Sequence, residues 1–98
     1  MSPGTRTGER GRMVYAQAAA SEPRQVLEQI EELLEALGAS KSNLLTARVL
    51  VSDRELFADY DRVWSEWLGT RRRPLRVWRL ADPPPGAPLI DITVTATK

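Results

Sequence analysis

The chain has no cysteine and no histidine. Disulfides, thiol nucleophiles, imidazole bases and the common zinc ligand sets are therefore all excluded. It also has no excess of one charge. Fourteen Lys and Arg against 13 Asp and Glu leave a formal net charge of +1, so no global field recruits nucleic acid or an anionic membrane. No apolar run reaches the roughly 18 residues of a membrane helix, and the N-terminus lacks the apolar h-region of a signal peptide. A reducing, cytoplasmic setting fits these absences. Aromatic residues make up only 6%, yet three of them are tryptophan. A chain this small with three tryptophans invites burial in an oligomer.

What is present reads as one folded unit. Ninety-eight residues with 42% hydrophobic and 28% charged content suit a single core and no second one. Residues 1–11 form an N-terminal tail, or a short edge strand at Thr5 to Thr7 followed by a Gly8-Glu9-Arg10-Gly11 turn. A single domain is expected over residues 12–98. Arg12 to Gln17 reads as a strand, and Ala18 to Ser21 leads out of it.

The first helix is expected to start near Ser21, a good N-cap, with Glu22 and Pro23 favourable in its first turn. Val26, Leu27, Ile30, Leu33, Leu34 and Leu37 recur at threes and fours, Glu28, Glu31, Glu32 and Glu35 cover the other face, and Gly38 ends the helix. Leu44 to Val51 is β-branched and strand-like. Ser52 and Glu55 have capping-box spacing before a second helix over Asp53 to Leu68, whose apolar face is Leu56, Phe57, Tyr60, Val63, Trp64, Trp67 and Leu68. Leu75 to Leu80 and Leu89 to Thr97 supply two more strands. Asp82 to Pro88 must be a loop, because proline lacks the ladder donor.

The element order gives an α+β domain with two helices packed on one face of a sheet. The other face then needs cover, which self-association would provide. Arg76 and Asp91 fall on one small sheet and are the first pair to consider for chemistry. Arg71-Arg72-Arg73 is open to two readings, a solvated basic loop or a phosphate contact for RNA. Trp78 could line a cleft or fill the sheet.

From Arg24 to Lys98 the chain resembles the reactive-intermediate deaminase family, also called Rid or YjgF-type. The resemblance rests on Gln25 to Ile30, Leu33 to Ser40, Leu50-Val51-Ser52-Asp53, Phe57-Ala58, Tyr60 to Trp67, Pro74-Leu75-Arg76, and Pro85-Gly86 before Leu89 to Ile92. Lys41-Ser42-Asn43 and Val63 to Trp67 look closest to the YoaB-like subgroup. The resemblance implies a chorismate-mutase-like mixed sheet, six-stranded in the family, and a trimer with ligand clefts between protomers. It also implies hydrolysis of enamine and imine intermediates of small 2-amino acids to 2-keto acids and ammonia, with no metal or cofactor.

By the same resemblance Arg76 is the substrate-carboxylate residue. Asp91, fifteen positions on, takes the place of the family's glutamate. The rim of the cleft would include Tyr15, Ala16, Gln17, Asp61 and Trp78. Asp61 replaces a family asparagine, Tyr15-Ala16-Gln17 replaces a Ser-Gly or Thr-Gly pair, and the loop before helix one is shorter. An arginine suits its task because a guanidinium grips a carboxylate through two parallel hydrogen bonds. Asp91 could assist the attacking water or serve as an arginine's salt-bridge partner. A non-catalytic member that binds small carboxylates or a protein partner is the alternative.

Overall fold

The computed structural model describes residues 12–70 and 73–98. They form β1 (Met13–Ala20), α1 (Pro23–Ala36), a 3-10 turn at Lys41–Asn43, β2 (Leu44–Val51), α2 (Arg54–Leu68), β3 (Leu75–Leu80) and β4 (Ile90–Thr97). The four strands make one mixed sheet in the order β1-β4-β2-β3. β4 runs antiparallel to both neighbours, whereas β2 and β3 are parallel and joined through α2. The expected tail or edge strand at residues 1–11, and the first two arginines of the basic run, lie outside the described residues. Arg73 is exposed.

Alternation dictates which face each strand buries. β4 alternates buried and half-buried along its whole length, the period-2 signature of a strand covered on one side. Its inward residues Ile90, Ile92, Val94 and Ala96 are fully buried, as are Val49 and, nearly, Ala47 and Val51 of β2. Both helices lie over this side. Val26, Leu27, Ile30 and Leu34 of α1 and Tyr60, Val63, Trp64 and Leu68 of α2 complete the core. The α1 stripe is narrower than its spacing suggests, because Leu33 and Leu37 sit at its margin and remain more than a third exposed.

Two helix starts differ from expectation. α1 begins at Pro23, and its N-cap is Glu22 without a side-chain cap bond, so Ser21 does not cap it. β1 instead continues through Ala20, leaving Ser21 in the bend. At α2 the cap is Asp53, whose Oδ1 accepts the Leu56 N–H at 2.7 Å. A carboxylate there satisfies an orphan donor and faces the positive end of the helix. Gly38, at φ +83°, closes α1 as its position predicts. The helices are tied by Trp67 Nε1, which donates to Glu31 at 3.1 Å, and by Lys41, which pairs with Glu31 and lies 5.0 Å from the Trp67 ring centre.

No helix among the described residues is long and apolar enough to cross a membrane. Among the described residues nothing covers the sheet face away from the helices. It carries Tyr15, Leu75 and Val77, each more than half exposed, around a polar centre where Thr46 and Thr95 share a 2.6 Å hydrogen bond.

Candidate functional site

Arg76 lies on β3 opposite Ala47, which puts its side chain on the helix side of the sheet. There the guanidinium sits between two rings of α2, with its carbon 5.4 Å from the Phe57 ring centre and 5.5 Å from that of Trp64. Its Nη2 donates to Asp61 Oδ1 at 2.6 Å. Phe57, Asp61 and Trp64 fall at helical spacing of four and three, so one face of α2 supplies the whole clamp. The two rings hold the planar group by cation–π attraction of about 0.5–2 kcal/mol each.

The clamp leaves donors over. The Arg76 side chain is 24% exposed, and its Nη1 is buried without a hydrogen-bond partner among the described residues. The buried Tyr60 hydroxyl lies beside it, outside strict hydrogen-bond geometry but near enough for the guanidinium to act on it. Burial drives the Tyr60 phenol well above its ordinary pKa, against the opposing pull of Arg76 and with a further push from Asp61. Trp78, two residues along β3 on the same side, stacks on Phe57 with ring centres 4.0 Å apart and planes 13° apart. Trp78 thus flanks Arg76 on the helix side of the sheet.

Asp91 belongs to the other side. The pairings Ala19–Asp91, Asp91–Leu50 and Leu50–Arg79 make one row across the uncovered face. Gln17, on the same face of β1, donates its amide to both Asp91 oxygens at 3.2 Å. Tyr15 stands further along that face, 66% exposed. Ala16 points the opposite way and is 5% exposed in the core, so its side chain does not reach a rim on the open face. The cause is strand alternation.

Arg76 and Asp91 are on one sheet, as expected, but they are not neighbours. β2 separates their strands, and the two side chains leave opposite faces. With strands about 4.8 Å apart and a rise of about 3.3 Å per residue, their Cα atoms are roughly 14 Å apart. One protomer therefore cannot bring both groups to one small molecule. Arg76, Asp61 and Trp78 form one cluster; Asp91 and Gln17 form another, with Tyr15 further along the same face.

A cavity of about 210 Å³ opens beside Asp91, and spacing in the sequence gives no sign of it. Ala19 and Leu50 floor it, and the loop from Ala81 to Leu89 walls it. That loop is shaped by its own chemistry. The Ala87 N–H donates to the Pro84 carbonyl at 3.0 Å across Pro85 and Gly86, and Gly86 has φ +84°, the arrangement of a type II turn. Both loop ends are pinned to the end of β2, through Ala81 N–H to the Val51 carbonyl at 2.8 Å and Ser52 N–H to the Leu89 carbonyl at 3.1 Å.

Comparison with known proteins places this architecture. The family model described as Endoribonuclease L-PSP matches residues 3–97. A RutC family protein of Haemophilus influenzae is 33% identical over 79 residues, covering 78% of this chain and 68% of that protein. The RutC family protein YoaB of Escherichia coli is 34% identical over 50 residues, covering 51% of this chain and 44% of YoaB. A solved YjgF family member from Neisseria meningitidis superposes with a TM-score of 0.78 at 24% identity, covering 90% of this chain and 80% of that one. The chain belongs to the Rid/YjgF/L-PSP (RutC) family. Its matches span about two thirds of the Haemophilus protein and less than half of YoaB. Four strands stand among the described residues, against the six that the resemblance implies.

Proposed function

We propose that this chain is a Rid-type deaminase, hydrolysing enamine and imine intermediates of small 2-amino acids to 2-keto acids and ammonia. It works as a cytoplasmic homotrimer. The reaction is R–C(=NH)–COO⁻ + H₂O → R–C(=O)–COO⁻ + NH₃, which needs a carboxylate anchor and a group to move the water's proton. Arg76 is the anchor. Asp91 accepts a proton as water adds to the C=N carbon and returns it to the departing amine, a role worth about 10²–10⁴-fold in rate. Because the two residues leave opposite faces, the cleft takes Arg76 from one protomer and Asp91 from the next. The uncovered face bearing Tyr15, Leu75 and Val77 supports such an assembly.

The single observation that carries this reading is the Arg76 clamp. A guanidinium three-quarters buried, fixed by Phe57 and Trp64 and by its ion pair with Asp61, is held in one orientation for a carboxylate at its exposed edge. The test is ammonia and keto-acid release from imines made in situ by an amino-acid oxidase. Acceleration over buffer that disappears in Arg76→Ala is expected; no acceleration with any of several amino acids would refute it.

A second reading has its own support. Asp61 already neutralises Arg76 at 2.6 Å, and Gln17 already holds both Asp91 oxygens. A site with both of its charges engaged suits a module that binds small carboxylates or a protein partner without turnover. Ligand binding in the absence of ammonia release would select it.

A further inference from the structure

We infer that the cavity beside Asp91 is a side-chain pocket, and that the preferred substrates are 2-imino acids with branched or aromatic apolar side chains. This rests on the deaminase reading above and narrows it. The pocket is walled by Pro83, Pro84, Ala87, Pro88 and Leu89 and floored by Ala19 and Leu50, with Asp91 as its one ionisable lining residue. An apolar hole with a single carboxylate at its edge fits an apolar body joined to a polar or protonated C=N group. Asp91 would then meet the reacting carbon while the side chain enters the hole.

Size agrees. An apolar cavity of about 150 Å³ can hold a benzene ring, so about 210 Å³ takes an isobutyl or benzyl group. A methyl group would leave it largely unfilled. Ala19 matters because the row Ala19–Asp91–Leu50 places a small residue next to the carboxylate, and a larger one there would occupy the space. The loop's type II turn and its two hydrogen bonds to the end of β2 fix the walls before a ligand arrives. Each buried methylene is worth roughly fourfold. For a pocket open on one side, a preference of about tenfold for isobutyl over methyl follows.

The experiment compares kcat/KM for imines generated in situ from leucine, phenylalanine and alanine. Wild type, Ala19→Leu and the loop variant Ala87→Leu are measured side by side, the last because a change in the loop spares the sheet. The expected result is a leucine-to-alanine ratio of about ten or more, falling towards one in either variant. Acceleration of all three imines to the same extent, or ratios unmoved by both variants, would overturn the pocket while leaving the deaminase reading intact. If no imine is accelerated, binding decides: 4-methyl-2-oxopentanoate and pyruvate are titrated separately while the amide signals of Ala19 and Ala87 are followed by NMR. Binding about tenfold tighter for the branched acid, with shifts at those residues, upholds the pocket. Equal affinity or no binding refutes it.

Discussion

Asp61 stands where relatives of the kind implied by the resemblance carry a neutral amide, and its effect on the site can be calculated. Its carboxylate is 2.6 Å from Arg76 Nη2, so a ligand carboxylate gripping the same guanidinium would lie about 5 Å from it. Asp61 is 45% exposed, which calls for a screened interaction with an effective dielectric constant of about 40–80. The repulsion is then about 1–2 kcal/mol, or about tenfold in affinity. Asp61→Asn should therefore tighten binding of 4-methyl-2-oxopentanoate about tenfold by calorimetry at about 0.02 M salt. The gain should shrink at about 0.3 M salt, where the screening length falls to several Å. Loss of the partly exposed ion pair should cost only about 0–1 kcal/mol in stability. A change in Kd of less than twofold at low salt would refute the placement of the anion on Arg76.

Three further outcomes follow from the geometry. Tyr60→Phe removes a buried hydroxyl whose nearest polar neighbour is the Arg76 guanidinium and should change stability at neutral pH by no more than about 1 kcal/mol. Because the folded phenol stays protonated while the unfolded one ionises near its ordinary pKa of 10.0, the wild type should lose about 1.4 kcal/mol of stability per pH unit above that value. Urea titrations should show this slope vanish in the variant, and a slope that persists would exclude Tyr60 as its source. Asp53→Ala removes the cap bond to the Leu56 N–H and should cost about 1 kcal/mol, seen as a lower urea midpoint with unchanged m-value; an unmoved midpoint would contradict the cap. Gly86→Ala meets no atom within 4 Å but forces an alanine to φ +84°, costing about 1–2 kcal/mol. A variant as stable as wild type would mean that the turn walling the pocket does not need a left-handed residue.

The elements were legible because each carries a local signal. The limits of β2 follow from its β-branched content, those of α2 to within one residue from apolar spacing of three and four, and those of β3 from a short, loosely alternating run bounded by Pro74 and the proline-rich loop. The end of α1 follows from Gly38. Caps were harder, since Ser52 and Asp53 are both good N-caps and only the backbone path selects Asp53. Arg76 and Asp91 were legible as positions through the resemblance, but their faces were not. Parity fixes a face only within one strand, and the Asp82–Pro88 loop between them breaks the count. β4 also inserts between β1 and β2, a long-range choice with no local marker. The Phe57–Arg76–Trp64 clamp and the cavity beneath the proline loop arise from that topology, so residue spacing could not announce them.

The central claim, a cleft that takes Arg76 and Asp91 from different protomers, is tested most directly by mixing two inactive proteins. Arg76→Ala and Asp91→Ala are each purified, unfolded and refolded together in equal amounts, and ammonia release is measured on imines made in situ. In a cyclic trimer every mixed assembly regains one intact cleft, so random mixing should restore about a quarter of the wild-type activity. Each variant refolded alone should stay inactive. If co-refolded mixtures form mixed trimers yet remain as inactive as the separate variants, the two residues do not share a cleft across protomers, and the account fails at its centre.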